Sequence, residues 1–206
     1  MFPLYFISDS RSVLQGGSLI KNISDALDGG ARLIQYRDKN STRREMYDNA
    51  KRLREITVQR GATLMINDQI DLALAVGADG VHLGQNDLPL WVARKVLGKS
   101  ALIGISTHSL SEAIQAETDG ADYIGLGPIF ATDTKADAAA PLGIAAMTAV
   151  KKAVQIPLYA IGGIQLTHLP QIFSAGADGV AAISAFAGDV QSHVQAWLKV
   201  ISASKK

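Results

Sequence analysis

Gln35, Arg37 and Lys39 alternate where an apolar run ends, so on an extended chain their side chains leave one face together. An arginine can fork onto two phosphate oxygens while a lysine adds a point charge, and the two together suit a diphosphate. The competing reading is a solvated loop in which Asp38 pairs with these cations. Two carboxylates follow later runs, in Ile66-Asn67-Asp68 and in His82-Leu83-Gly84-Gln85-Asn86-Asp87. Asp68 and Asp87 suit Mg²⁺, which takes few protein ligands and completes its shell with water and phosphate oxygen. Each also stands where a helix can begin, Asp68 ahead of Gln69-Ile70-Asp71 and Asp87 ahead of Leu88-Pro89, so helix capping is open to both; the two roles are not exclusive. His82 falls in the middle of its run and reads as a packed core residue.

Further along, Ser106-Thr107-His108-Ser109 closes a run, and Ser109 with Glu112 has the spacing of a capping box, which leaves Ser106 as the site candidate. The longest connection, from Gly125 through Thr132, Asp133, Thr134 and Lys135 to Gly143, offers hydroxyls and a cation on a loop long enough to act as a lid. Gly162-Gly163 and Ile183-Ser184 end the last two runs, where backbone N–H groups can hold a phosphate and glycine permits close approach. The inventory therefore suits two anions: a phosphate near Gly163 and Ser184, and a more highly charged, metal-bound group near Arg37, Lys39, Asp68 and Asp87.

These groups need elements that bring them to one place. Eight short apolar runs (residues 4–7, 33–35, 64–66, 81–83, 102–105, 123–126, 158–161 and 180–183) read as strands. They alternate with stretches patterned for amphipathic helix (19–27, 43–58, 72–76, 90–97, 110–117, 144–153, 169–175 and 190–201). Eight strand–helix units are the arithmetic of a closed (β/α)8 TIM barrel, an α/β fold whose active site lies at the C-terminal ends of its strands. Gly30-Ala31, Gly61-Ala62, Gly77-Ala78-Asp79, Gly120-Ala121-Asp122 and Gly176-Ala177-Asp178 each precede a run, where glycine can end a helix in the left-handed conformation. Their aspartates fall at the opposite, stability face of such a barrel and read as turn formers.

A chain of 206 residues holds one barrel with short loops, so residues 1–206 are expected to form a single catalytic domain. The hydrophobic fraction of 48% and mean hydropathy of +0.14 are high enough for a barrel interior and a buried sheet–helix interface. A net charge of +1 gives no general attraction to nucleic acid or anionic membrane, so anions must be bound locally. The absence of cysteine removes thiolate chemistry and disulfides and fits a reducing compartment. No basic leader or apolar span of ~20 residues is present, and a soluble, cytoplasmic protein is expected. Residues 202–206 are the candidate for disorder.

Taken in order, Gln35-x-Arg37-x-Lys39, Ile66-Asn67-Asp68, Gly80-Val81-His82-Leu83-Gly84-Gln85-x-Asp87, Ser106-Thr107-His108, Gly127-Pro128-Ile129-Phe130-x-Thr132-x-Thr134-Lys135, Ala160-Ile161-Gly162-Gly163-Ile164 and Ser184-Ala185 resemble the thiamine phosphate synthase family from the first strand to the last. The resemblance implies a Mg²⁺-dependent transferase that couples hydroxymethylpyrimidine diphosphate to hydroxyethylthiazole phosphate and releases pyrophosphate. It implies that the C–O bond breaks first and that the thiazole nitrogen captures a pyrimidine-stabilised cation. By the same resemblance Gln35 orients the aminopyrimidine, Arg37, Lys39, Asn67, Ser106 and Lys135 hold the departing pyrophosphate, and Asp68 and Asp87 bind Mg²⁺. Thr132 and Thr134 then face the thiazole, whose phosphate rests on the backbone of Gly162, Gly163, Ile183 and Ser184. The partners implied are small molecules, with a small homo-oligomer favoured. Ala131 departs from the proline common in the family, a matter of loop stiffness more than chemistry. The alternatives are a thiazole tautomerase, which has no diphosphate to hold, and a non-catalytic precursor-binding regulator.

Overall fold

The computed structural model describes residues 2–9, 18–132 and 140–204. Eight parallel strands close into a barrel in sequence order: β1 (Leu4–Asp9), β2 (Leu33–Arg37), β3 (Thr63–Asn67), β4 (Gly80–Leu83), β5 (Leu102–Thr107), β6 (Tyr123–Leu126), β7 (Leu158–Ile161) and β8 (Gly179–Ala182). The closing pair sets Leu4 beside Val180 and Phe6 beside Ala182. Eight α-helices lie among the described residues: α1 (Leu19–Asp28), α2 (Arg43–Gln59), α3 (Ile70–Val76), α4 (Leu90–Leu97), α5 (Leu110–Thr118), α6 (Gly143–Ala153), α7 (Leu169–Ser174) and α8 (Val190–Ser204). Short 3₁₀ turns span Leu166–His168 and Ser184–Phe186. The expected barrel is thus observed, with element ends moved by a few residues; α8 runs on through Ser204, so residues 202–204 of the expected loose tail are helical. Lys205 and Lys206 lie outside the described residues.

Strand alternation divides the core in two. Tyr5, Ile7, Leu33, Met65, Tyr123, Tyr159 and Ala181 fill the barrel interior. Their sequence neighbours, such as Phe6, Ile34, Leu64 and Val180, face outward against helix residues including Ile23, Leu27, Leu53 and Ile172. Because Leu33 points inward, so do Gln35 and Arg37 two and four residues on, at the mouth end of β2. Parallel strands put every C-terminal end at that mouth.

The opposite rim is built on a repeated clamp. The Leu64 N–H donates to Asp79 Oδ2 at 2.7 Å, the Ile103 N–H to Asp122 Oδ2 at 2.7 Å and the Leu158 N–H to Asp178 Oδ2 at 2.8 Å. The same oxygens take Arg54 from α2 at 2.7 Å, Arg94 from α4 at 2.7 Å and Lys151 from α6 at 2.8 Å. Each aspartate therefore ties the turn before an even-numbered strand to the preceding strand and to the helix packed outside it. The turns themselves use Gly77, Gly120 and Gly176 at φ of 63°, 90° and 96°, which an L side chain rarely adopts.

Candidate active site

The loop after β2 is shaped by Asp38, which does not pair with the cations on either side. Its carboxylate accepts from the Asn40 N–H at 3.0 Å, the Ser41 N–H at 3.1 Å, the Ser41 hydroxyl at 2.7 Å and the Tyr36 hydroxyl at 3.1 Å. Burial opposes its ionisation, but these donors win and hold its pKa below the ordinary carboxylate value. With Asp38 so occupied, Lys39 reaches across to β3, its Nζ 3.3 Å from Asp68 Oδ2.

Asp68 and Asp87 meet at this point, and neither caps a helix. α3 begins after Gln69 and α4 after Pro89, both without a side-chain cap, so the capping reading of the two aspartates is overturned. Asp87 Oδ2 instead accepts the Gly84 N–H at 2.6 Å, closing a tight turn after β4. Asp68 has φ 61°, the sole non-glycine positive φ among the described residues, a conformation that costs of order 1–3 kcal/mol and persists only where the surroundings enforce it. Burial and then the facing Asp87 carboxylate push the Asp68 pKa above its ordinary value, against the pull of Lys39. No cluster of three or more His, Cys, Asp or Glu suited to a metal lies among the described residues. Two carboxylates with one under-compensated charge still fit Mg²⁺, which dehydrates reluctantly and binds through one or two carboxylates plus phosphate oxygens.

Across the mouth, the inward position of β5 is Ser106, while the buried Thr107 hydroxyl turns outward to the Gly125 carbonyl at 3.4 Å. Gln85 Nε2 donates to the Ser106 carbonyl at 2.7 Å and anchors the β4 loop to β5. Ser109 caps α5 by accepting the Glu112 N–H at 3.2 Å, but the Glu112 carboxylate accepts from the His108 N–H at 2.7 Å, so the return half of the capping box is displaced by one residue. His82 is 8% exposed, as a core reading requires, yet its Nε2 lies 2.9 Å from Ser106 Oγ and its Nδ1 3.1 Å from Tyr123 Oη. Gln35, 2% exposed, donates from Nε2 to Tyr5 Oη at 2.7 Å. Tyr5, Tyr123 and this role for His82 were missed in the sequence; polar-tipped aromatics near the starts of their strands, with glycine at the neighbouring position Gly104, were the available sign.

The remaining groups ring the other half of the mouth. Gly162 and Gly163 hold φ of 94° and 63°; a Cβ on them would fall 2.5 Å from Pro128 Cβ and 2.3 Å from the Ala131 carbonyl oxygen. Their bareness admits the base of the β6–α6 loop, which is stitched down by the Ile129 N–H to the Ile161 carbonyl and the Phe130 N–H to the Gly162 carbonyl. Ser184 is exposed at the start of the 3₁₀ turn after β8, and Ile183 half-buried before it, the position where barrels commonly hold phosphate. Thr132 closes the described part of the loop, half-buried; Thr134 and Lys135 lie outside the described residues. Asn67 is half-buried at the end of β3 beside Asp68. No helix among the described residues is long and apolar enough to cross a membrane.

The sequence model of the thiamine monophosphate synthase family matches residues 4–186. The chain is 45% identical to thiamine-phosphate synthase of Chloroflexus aurantiacus over 205 residues, 98% of this chain and 94% of that one. It is 47% identical to the Clostridium novyi protein of the same name over 184 residues, 89% and 90% of the two chains. Thiamine phosphate pyrophosphorylase from Pyrococcus furiosus has a similar structure, with a TM-score of 0.90 at 38% identity covering 99% and 97% of the chains.

Proposed function

The chain belongs to the thiamine monophosphate synthase family and is a transferase, and on that premise we propose that it joins hydroxymethylpyrimidine diphosphate to hydroxyethylthiazole phosphate, with release of pyrophosphate. The observation that carries this reading is the meeting of Lys39, Asp68 and Asp87 at the mouth, on the same rim as the inward ends of β2 and β5. A cation beside two mutually repelling carboxylates suits a diphosphate held jointly by side chains and a divalent ion.

In the proposed reaction the bond between the pyrimidine methylene carbon and the diphosphate oxygen breaks first, and both electrons leave with the diphosphate. The chain's task is then to stabilise negative charge on the leaving group, through Arg37, Lys39, Asn67, Ser106 and Lys135. Asp68 and Asp87 would hold Mg²⁺, which when bound supplies further neutralisation of that charge. Gln35 would orient the aminopyrimidine. Thr132 and Thr134 would face the thiazole, with its phosphate on the backbone of Gly162, Gly163, Ile183 and Ser184 after the last two strands, where barrels frequently bind phosphate. The loop from Gly127 to Gly143 would keep water from a cation that water would otherwise quench. The thiazole nitrogen then forms the new C–N bond.

Purified protein given both substrates and Mg²⁺ should yield thiamine phosphate, read as its fluorescent oxidation product, and EDTA should abolish it. A folded, metal-loaded sample that makes none, yet isomerises a thiazole carboxylate phosphate, would replace this reading with the tautomerase.

A further inference from the structure

Five side chains from five strands form one hydrogen-bonded chain through the barrel interior. Gln35 Nε2 lies 2.7 Å from Tyr5 Oη, Tyr5 Oη 2.9 Å from Tyr123 Oη, Tyr123 Oη 3.1 Å from His82 Nδ1 and His82 Nε2 2.9 Å from Ser106 Oγ. Its two ends, on β2 and β5, are both residues of the proposed site. We propose that this chain is a positioning device that fixes His82 as the Nε2–H tautomer, so that Ser106 receives a hydrogen bond from within and keeps its own hydroxyl hydrogen for the leaving diphosphate. The proposal rests on the reading of Ser106 as a diphosphate contact.

The polarity follows from donor counting. An amide nitrogen only donates, so Tyr5 accepts from Gln35 and its single hydrogen is left for Tyr123. Tyr123 in turn spends its single hydrogen on His82 Nδ1. A neutral imidazole that accepts at Nδ1 carries its proton on Nε2 and donates there to Ser106. Burial pushes both phenols well above their usual pKa, so neither ionises and breaks the count. In the alternative the two imidazole links reverse together: His82 would donate from Nδ1 to Tyr123, and Ser106 would donate to Nε2 and show only lone pairs to an anion, while Tyr5 would still accept from Gln35. The same polarity leaves Gln35 Oε1 as the atom outside the chain, an acceptor of the kind an aminopyrimidine's amino group needs. One end thus presents an acceptor for the amine, and the other a donor for the diphosphate.

The strands are cut to fit this chain. A Cβ on Gly104 would lie 2.1 Å from Tyr123 Cζ, and one on Gly125 3.3 Å from His82 Cε1, so an alanine at 104 would displace the phenol. The Tyr5 and Tyr123 rings pack edge to face at 5.8 Å, and those of His82 and Tyr123 lie 5.5 Å apart, which fixes where the polar tips point.

The test is long-range ¹H–¹⁵N spectroscopy of histidine-labelled protein, with His82 assigned by its loss in His82→Gln. A single neutral Nε2–H signal is expected, and an Nδ1–H signal would overturn the proposal. Tyr123→Phe, which removes one hydroxyl and keeps the ring, should let the Nδ1–H form appear. It should also lower turnover on the order of tenfold, below the full ~10²–10³ cost of deleting a preorganised donor, with KM for the thiazole phosphate unchanged. His82→Gln, whose amide can donate where Nε2 stood, should keep more turnover than His82→Asn. Loss in Ser106→Ala with wild-type turnover in folded Tyr123→Phe would overturn the chain while leaving the site reading intact. Wild-type turnover in Ser106→Ala would remove the diphosphate contact and the chain's role with it.

Discussion

The two rims of the barrel use aspartate in opposite ways. On the lower rim Asp79, Asp122 and Asp178 each hold a backbone N–H and a cation, so their charge is met within the fold. On the upper rim Asp68 faces Asp87, with Lys39 at 3.3 Å as partial compensation, and sits in a left-handed conformation that non-glycine residues seldom adopt. Charge is closed into pairs at the end that holds the strands together and left as an open pair at the end where a ligand can complete it. Stability is therefore expected to depend on the lower rim and binding on the upper one.

The largest effect belongs to Asp68→Asn. Asparagine tolerates the left-handed conformation and keeps the side chain's shape, so the variant should melt at or above the wild-type temperature. Turnover should fall by roughly 10²–10³, the scale of losing one charge-stabilising group. Paired kinetics and thermal melts measure both; a variant that loses stability in proportion to activity would merge the two rims into one structural role.

The mirror substitution is Asp122→Ala. It strands the Ile103 N–H, at a cost of about 1–3 kcal/mol, and takes the carboxylate from Arg94, whose guanidinium keeps the Ala101 carbonyl at 2.5 Å. Since side chains this exposed keep only part of their ion-pair energy, most of that cost should come from the backbone hydrogen bond. Denaturant unfolding should show the loss while turnover per folded molecule stays at the wild-type value. A fall in turnover without a fall in stability would place function on the lower rim.

The sequence carried this separation only in part. Runs, helical spacings and the Gly-Ala-Asp turns are local patterns, and they located the strands, the lower-rim aspartates and the upper-rim groups. The capping alternative for Asp68 and Asp87 was decided by backbone geometry: a φ of 61° at Asp68, and a turn in which Asp87 reaches back to Gly84. Helix-start patterns do not register either. Pairing of Asp38 with its flanking cations was equally plausible on spacing, and it lost to Asn40, Ser41 and Tyr36 because a short loop offers its own N–H and hydroxyl groups first. The interior chain was the least legible, since Tyr5 and Tyr123 meet across 118 residues of sequence and only closure of the barrel brings them together.

A smaller effect should come from the ion that the upper pair is suited to. Mg²⁺ at about a hundred times its dissociation constant stabilises a folded chain by ~2.7 kcal/mol, which for a domain of this size is several degrees in melting temperature. The rise should appear in wild-type protein against an EDTA baseline, persist in Asp122→Ala, and vanish in Asp68→Asn and Asp87→Asn. A rise that survives in both upper-rim variants would locate the ion elsewhere.

The smallest and most discriminating effect is in pH. Asp68 has a folded pKa above its unfolded one, through burial and then Asp87, so the folded state binds the extra proton between the two values. Stability from this group therefore falls as pH rises through that window, and the penalty is complete above the folded pKa. Asp38 runs the other way: its pKa is lowered in the fold, so its contribution is present above the unfolded value and lost as pH falls through the folded one. In metal-free urea titrations, the stability of Asp68→Asn minus that of wild type should climb with pH across the carboxylate range and then level, whereas Asp38→Asn minus wild type should descend. Saturating Mg²⁺ favours ionised Asp68 in the wild type alone, so the first difference should shrink and change sign while the second keeps its shape. An Asp68 difference indifferent to Mg²⁺ would mean that the open pair is a strain in the fold and no binding site, and the contrast between the rims would lose its functional meaning.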